Sequence, residues 1–170
     1  GLLNLYTISD FHIGMLSWHE ETGEDWDTEI AEQTLIRWFQ EATKRAPQAD
    51  AAVLVDLGDV IHYDSLESIT PTAGNLLDSD TRFPNMVRTL IRSFRAAIQM
   101  LLEKYPHVHF IANEGNHNPS SSVWIREWFA VLYENEPRVT VDTSPDPYHC
   151  YEWGNTSLFF HHGHLTKQQS

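Results

Sequence analysis

Apolar residues in this chain gather in two kinds of run. Short, almost continuous blocks occupy positions 2–8, 51–55 and 108–112. Each is too short for a helix, which predicts buried strands. Longer stretches between them repeat with helical spacing. Ala31, Leu35, Trp38, Phe39 and Ala42 form one stripe, with Asp27 or Thr28 as its cap and Pro47 as its stop, so a helix is expected from there to about Arg45. Pro84 suits the first turn of a second helix. Val87, Leu90, Ile91, Phe94, Ile98, Leu101 and Leu102 would form its face, and Pro106 would end it. A third helix, capped within Ser120 to Ser122, would carry Trp124, Ile125, Trp128, Phe129 and Leu132. Three further strands are expected at 139–141, 148–153 and 157–160, the last two joined by a turn at Gly154-Asn155.

The predicted order is β-α-β-α-β-α followed by β-β-β. Alternation of strand and helix implies parallel strands with right-handed crossovers, and the closing run implies antiparallel additions. One α/β domain covers residues 1–170. Residues 9–27 read as a charged, aromatic loop. Residues 63–83 read as a long irregular insertion with turn chemistry at Thr70-Pro71-Thr72-Ala73-Gly74, a length often associated with function.

Composition narrows the class. Hydrophobic residues make up 41% and aromatics 12%, so the chain folds around a core. No apolar run is long enough to span a bilayer, and the start lacks a signal-like segment. Cys150 is the single cysteine, which excludes an internal disulfide and reads as a core thiol. A cytoplasmic protein without membrane contact is expected. The net charge of −13 speaks against a broad basic surface for nucleic acid. It leaves an anionic substrate open, because bound cations can invert the local field of an acidic protein. The acidic run from Glu20 to Asp27 reads as a solvated loop.

Three short motifs lie just beyond the predicted strands: Asp10-Phe11-His12, Gly58-Asp59 and Gly115-Asn116-His117. The carboxyl ends of parallel strands are where sites form in open α/β sheets. Asp10 and His12, two apart on an extended segment, would share a face and chelate one cation. Asp59 has two carboxylate oxygens and can bridge two cations about 3.5–4 Å apart. Asn116 offers a neutral amide oxygen. His117 is a candidate general acid for a leaving oxygen. A histidine cluster at His161-His162-Gly163-His164 follows the last strand. His162 is the favoured ligand there, with His161 and His164 as alternatives. Two divalent cations outweigh two carboxylates, so the site would favour a phosphate oxygen and activate a water as nucleophile. No G-x-S-x-G elbow, phosphate-cradling G-x-x-x-x-G-K or paired cysteine motif competes with this reading.

Asp10-x-His12, Gly58-Asp59, Gly115-Asn116-His117 and His162-Gly163 resemble the signature of the calcineurin-like metallophosphoesterases, in the same order along nearly the whole chain. The resemblance implies a β-sandwich flanked by helices, a four-layer α/β/β/α arrangement, around two ions of manganese, iron or zinc. Magnesium is the poorer fit. It implies Asp10, His12 and Asp59 on one ion, Asp59, Asn116 and His162 on the other, and His117 as the catalytic histidine. The Asp-Phe-His-Ile-Gly start is similar to the DNA repair exonuclease branch, and residues 70–82 resemble a phage- and prophage-encoded subgroup of it. Phosphodiester hydrolysis is the expected function, with a DNA nuclease or a non-catalytic scaffold as alternatives.

Two positions depart from the family pattern. Asn118 replaces a usually acidic residue that supports the catalytic histidine. The family's closing Gly-His-x-His, one ligand for each metal, does not follow His162-Gly163 before Ser170. The expectation is therefore the front part of a longer domain. His62, Arg82 and His164 are further candidates for contact with substrate, against structural roles for His62 and a surface salt bridge for Arg82. Trp18 and Tyr63 could stack on a base, although burial under a loop explains both. His107 and His109 read as solvent-facing strand residues.

Overall fold

Six strands and four helices build the chain in a computed structural model that describes residues 1–165. Strands β1 (Leu3–Ile8), β2 (Ala51–Asp56), β3 (His107–Ala112) and β4 (Val139–Val141) form one sheet in the order β1-β2-β3-β4. All three pairings are parallel. The first strand of the closing run, at 139–141, was expected to add antiparallel like the other two. Instead β4 lies parallel beside β3, because the intervening helix returns the chain to the same starting edge. Strands β5 (His149–Trp153) and β6 (Thr156–Phe160) form a separate antiparallel hairpin.

A simple sequential order with crossovers of one hand puts every connecting helix on one face of the sheet. After the single turn of α1 (His19–Thr22), the crossover helices are α2 (Thr28–Arg45), α3 (Phe83–Lys104) and α4 (Pro119–Leu132). The main core joins Leu35 and Phe39 of α2, Phe94 and Ile98 of α3, and Ile125 and Phe129 of α4 to Tyr6, Leu54 and Phe110 of the sheet. Complete burial of such side chains contributes about 1.5–3 kcal/mol each. The opposite face carries Val53, Val55 and Ile111, and Phe160 of the hairpin closes over them. Strand alternation thus supplies two apolar faces, one for helices and one for the hairpin.

Local chemistry explains the ends of the helices. Asp27 caps α2 by accepting from the N–H of Ile30 at 2.7 Å. Lys104 donates to the carbonyls of Thr43 and Ala46 where α2 finishes. At α4 the expected serine cap gives way to a distant residue. Asp64 accepts the N–H groups of Ser120 (2.5 Å) and Ser121 (2.7 Å), while Ser121 and Ser122 sit buried inside the first turn. Asp64→Ala is expected to cost about 1–2 kcal/mol, a fall in Tm of about 3–8 °C, with Asp64→Asn recovering part of it. Thermal unfolding monitored by circular dichroism measures both.

Several side-chain expectations change in three dimensions. Cys150 is exposed on the outer face of the hairpin. His109 is half-buried, bonded to Thr140 and stacked on Tyr151 at 4.6 Å. Tyr63 is buried with its hydroxyl on the carbonyl of Thr81, whereas Trp18 is half exposed. His149 is buried and pairs with Asp142 at 2.8 Å. Among the described residues, no helix is long and apolar enough to cross a membrane.

Candidate metal centre

The parallel register does not stop with the strands. Beyond β1 and β2 the two loops run on side by side. The N–H of Leu57 bonds the carbonyl of Ile8, that of Asp10 the carbonyl of Gly58, and that of His12 the carbonyl of Asp59. Ile13 then pairs with Ile61 in a last parallel bridge. This zipper brings the loop of Asp10 and His12 against that of Asp59 and His62. The expected extended segment is absent, however. Asp10, His12 and Asp59 have φ values of 52°, 47° and 57°. Among the described residues they are the only non-glycine residues with positive φ. Left-handed backbone costs such residues about 1–2 kcal/mol each and marks functional loops.

The third loop reaches the pair through two glycines and one amide. A Cβ on Gly58, whose φ is +107°, would stand 2.8 Å from the carbonyl oxygen of Glu114 and 2.9 Å from the backbone of Gly115. A Cβ on Gly115 would stand 2.1 Å from Oδ1 of Asp59. The motif glycines are therefore needed for contact between two loops. Asn118 fastens that contact. Its buried Oδ1 accepts the N–H of Asp59 at 2.9 Å and that of Gly115 at 2.8 Å. A carboxylate at position 118 would accept the same two bonds, so the Asn118 amide makes the connection without adding negative charge beside Asp59. The ring of His117 is oriented elsewhere: its Nδ1 donates to the carbonyl of His62 at 2.7 Å.

Two groups of donor atoms result, each within a 4.8 Å span: Asp10, Asp59 and His162, and His12, His62 and His117. Asp10 and His12 were expected to chelate together, yet the left-handed turns direct them into different groups. Of the histidine cluster, His162 is the member that reaches Asp59 and Asn116. Its Nδ1 donates to the carbonyl of Leu57 at 2.9 Å. Its Nε2 faces Oδ2 of Asp59 and Oδ1 of Asn116, both at 3.2 Å. With the proton on Nδ1, a neutral His162 points a lone pair at two acceptor oxygens. A cation between them, or a second proton, satisfies all three. His161 turns away, accepting from the N–H of Gly163 and stacking on Tyr148 at 4.1 Å. His164 stands 3.7 Å from Glu114.

Electrostatics fit the same purpose. Burial, reinforced by His12 and His117, pushes the pKa of His62 down to about 4. Burial and then His117 lower that of His12. Both imidazoles stay neutral near pH 7, the form that binds metal. Asp59 is nearly inaccessible, and its Oδ1 accepts the N–H of His117 at 2.7 Å. Arg82 is exposed at the start of α3 and makes no hydrogen bond or ion pair with these residues.

Asp56 belongs to the site's foundation and was not anticipated. Fully buried at the end of β2, it accepts the N–H of Gly58 at 2.8 Å, and burial pushes its pKa up to about 8. Its place two residues before a glycine is the signal that could have found it, because aspartates commonly bond the backbone two residues on. The oxygen and imidazole donors collected here fit divalent cations. No family model, curated protein or solved structure matches the chain.

Proposed function

We propose that this chain is a dinuclear metal-dependent phosphoesterase of the calcineurin-like type, acting on a phosphodiester. The supporting observation is the meeting of His162 Nε2 with the oxygens of Asp59 and Asn116, three acceptors that a cation satisfies together. On this reading Asp10, Asp59, Asn116 and His162 hold one ion, and His12 holds the other with Asp59 between them. Manganese, iron and zinc suit these donors better than magnesium. The hairpin laid over the second face of the sheet supports a β-sandwich flanked by helices.

Bound divalent cations supply Lewis-acid polarisation of a phosphoryl oxygen and lower the pKa of water toward neutrality. The chain's own residues place and protonate. Asp59 is fixed at both backbone ends, its N–H by Asn118 and its carbonyl by His12, so its carboxylate meets the ions without reorganisation. His117 has Nδ1 committed to the carbonyl of His62. Nε2 is then the atom that carries a proton to the leaving oxygen.

The test is a screen of the protein with manganese, iron or zinc against aryl phosphate mono- and diesters, beside single- and double-stranded DNA. Diester cleavage without DNA degradation is expected, because a net charge of −13 repels a polyanion. DNA degradation would make the substrate nucleic acid, and inertness toward every ester would remove the proposal. His117→Ala is expected to lower kcat by about 10²–10⁴-fold while metal content, measured by elemental analysis, stays unchanged. Equal loss of both would make His117 a ligand or a structural residue.

A further inference from the structure

His62 is the histidine that the ligand set above does not use, although its surroundings are built as carefully as those of His162. Its N–H bonds the carbonyl of Ile13 at 3.0 Å, and its carbonyl holds His117. Two residues on, Asp64 locks the same loop to the start of α4. The ring is buried beside the backbone of Asp78. What it presents to the site is Nδ1, 3.4 Å from Nδ1 of His12.

That separation is long for a hydrogen bond between two ring nitrogens, whose optimum is about 2.9–3.0 Å. It matches two imidazoles on one four-coordinate ion. Zinc–nitrogen bonds of about 2.0–2.1 Å at tetrahedral angles put the nitrogens about 3.3–3.4 Å apart. The ring centroids lie 5.4 Å apart with the planes at 82°, and both rings belong to one group of donor atoms within 4.8 Å of one another. We propose that His62 is a metal ligand that shares the His12 cation. The inference rests on the two-cation reading and extends it. One centre is rich in oxygen, from Asp10, Asp59 and Asn116 with His162. The other is rich in nitrogen, from His12 and His62, and favours a borderline ion such as zinc. His117, the third imidazole of that group, has its Nδ1 on the carbonyl of His62 and is assigned to the substrate in the proposed reaction.

The full chain, stripped with EDTA and titrated with zinc alone by calorimetry and elemental analysis, is expected to bind two equivalents. His62→Ala should keep one tight equivalent and weaken the second by more than about 100-fold, since even residues that merely orient a ligand cost 10–100-fold. His117→Ala should keep both. A second readout does not depend on how a variant folds. In wild-type protein carrying ¹⁵N-histidine and loaded with ¹¹³Cd, the His62 ring should show one-bond coupling to cadmium. Two zinc equivalents of unchanged affinity in folded His62→Ala, or a cadmium spectrum without that coupling, would overturn the His62 assignment and leave the two-cation reading standing. Wild-type protein that takes up no zinc would overturn both.

Discussion

Asp59→Asn is expected to abolish the proposed metal-dependent hydrolysis, with the rate falling on the order of 10³-fold or more. Lewis-acid catalysis is worth several kcal/mol, and each 1.36 kcal/mol is about a factor of ten. The substitution is nearly isosteric. Its amide oxygen can still accept the N–H of His117, as Oδ1 does now at 2.7 Å, so the loop keeps its shape. What disappears is the buried charge opposite His162. Stability should move in the other direction. Without metal, Asp10, Asp56 and Asp59 crowd one end of the sheet, and the last two are buried. Loss of one carboxylate therefore leaves the metal-free Tm equal to or above wild type. Zinc at about 100 times its Kd stabilises wild type by about 2.7 kcal/mol, or about 5–11 °C, and that gain should vanish in the variant. Scanning calorimetry with and without zinc, beside steady-state rates, checks the pair of effects. Retained activity would refute the bridging role.

Gly115→Ala should lower Tm and metal affinity together. Its new methyl would lie 2.1 Å from Oδ1 and 2.5 Å from the backbone nitrogen of Asp59. Asp59 cannot step aside cheaply. Its N–H is bonded to Asn118, and its carbonyl accepts from His12. Either the third loop separates from the second, or the carboxylate rotates away from His162. Overpacking of this kind costs about 1–3 kcal/mol, and any buried N–H left unpaired adds about 1–3 kcal/mol. A fall in Tm of roughly 5–15 °C follows, with weaker zinc binding by calorimetry. Normal stability and unchanged zinc affinity would show that the loops do not need this close approach.

The candidate ligands were legible in the sequence wherever their position along a strand mattered more than their orientation. Asp10, Asp59 and Asn116 each follow an apolar block that had to be a buried strand, and parallel strands deliver their carboxyl ends to one edge. Orientation was less accessible. Alternation predicted that Asp10 and His12 share a face, but both adopt left-handed backbone, and strand periodicity has no meaning there. The three candidate histidines 161, 162 and 164 could not be ranked fully without the carbonyl of Leu57, which lies 105 positions from His162. Asp64 and Asn118 work through partners 57 and 59 positions away. No local pattern encodes such pairings.

The chain's periodicity determined by itself that strands and helices alternate, which faces are apolar, and that three loops carrying candidate metal donors emerge at one end. These follow from short-range sterics and from burial of apolar surface, which act within a few residues. Only the tertiary structure decided that β4 runs parallel to β3, that Asn118 rather than a carboxylate ties two loops together, and that His62 faces His12. Those outcomes depend on backbone groups far apart in sequence finding hydrogen-bond partners once the sheet has closed.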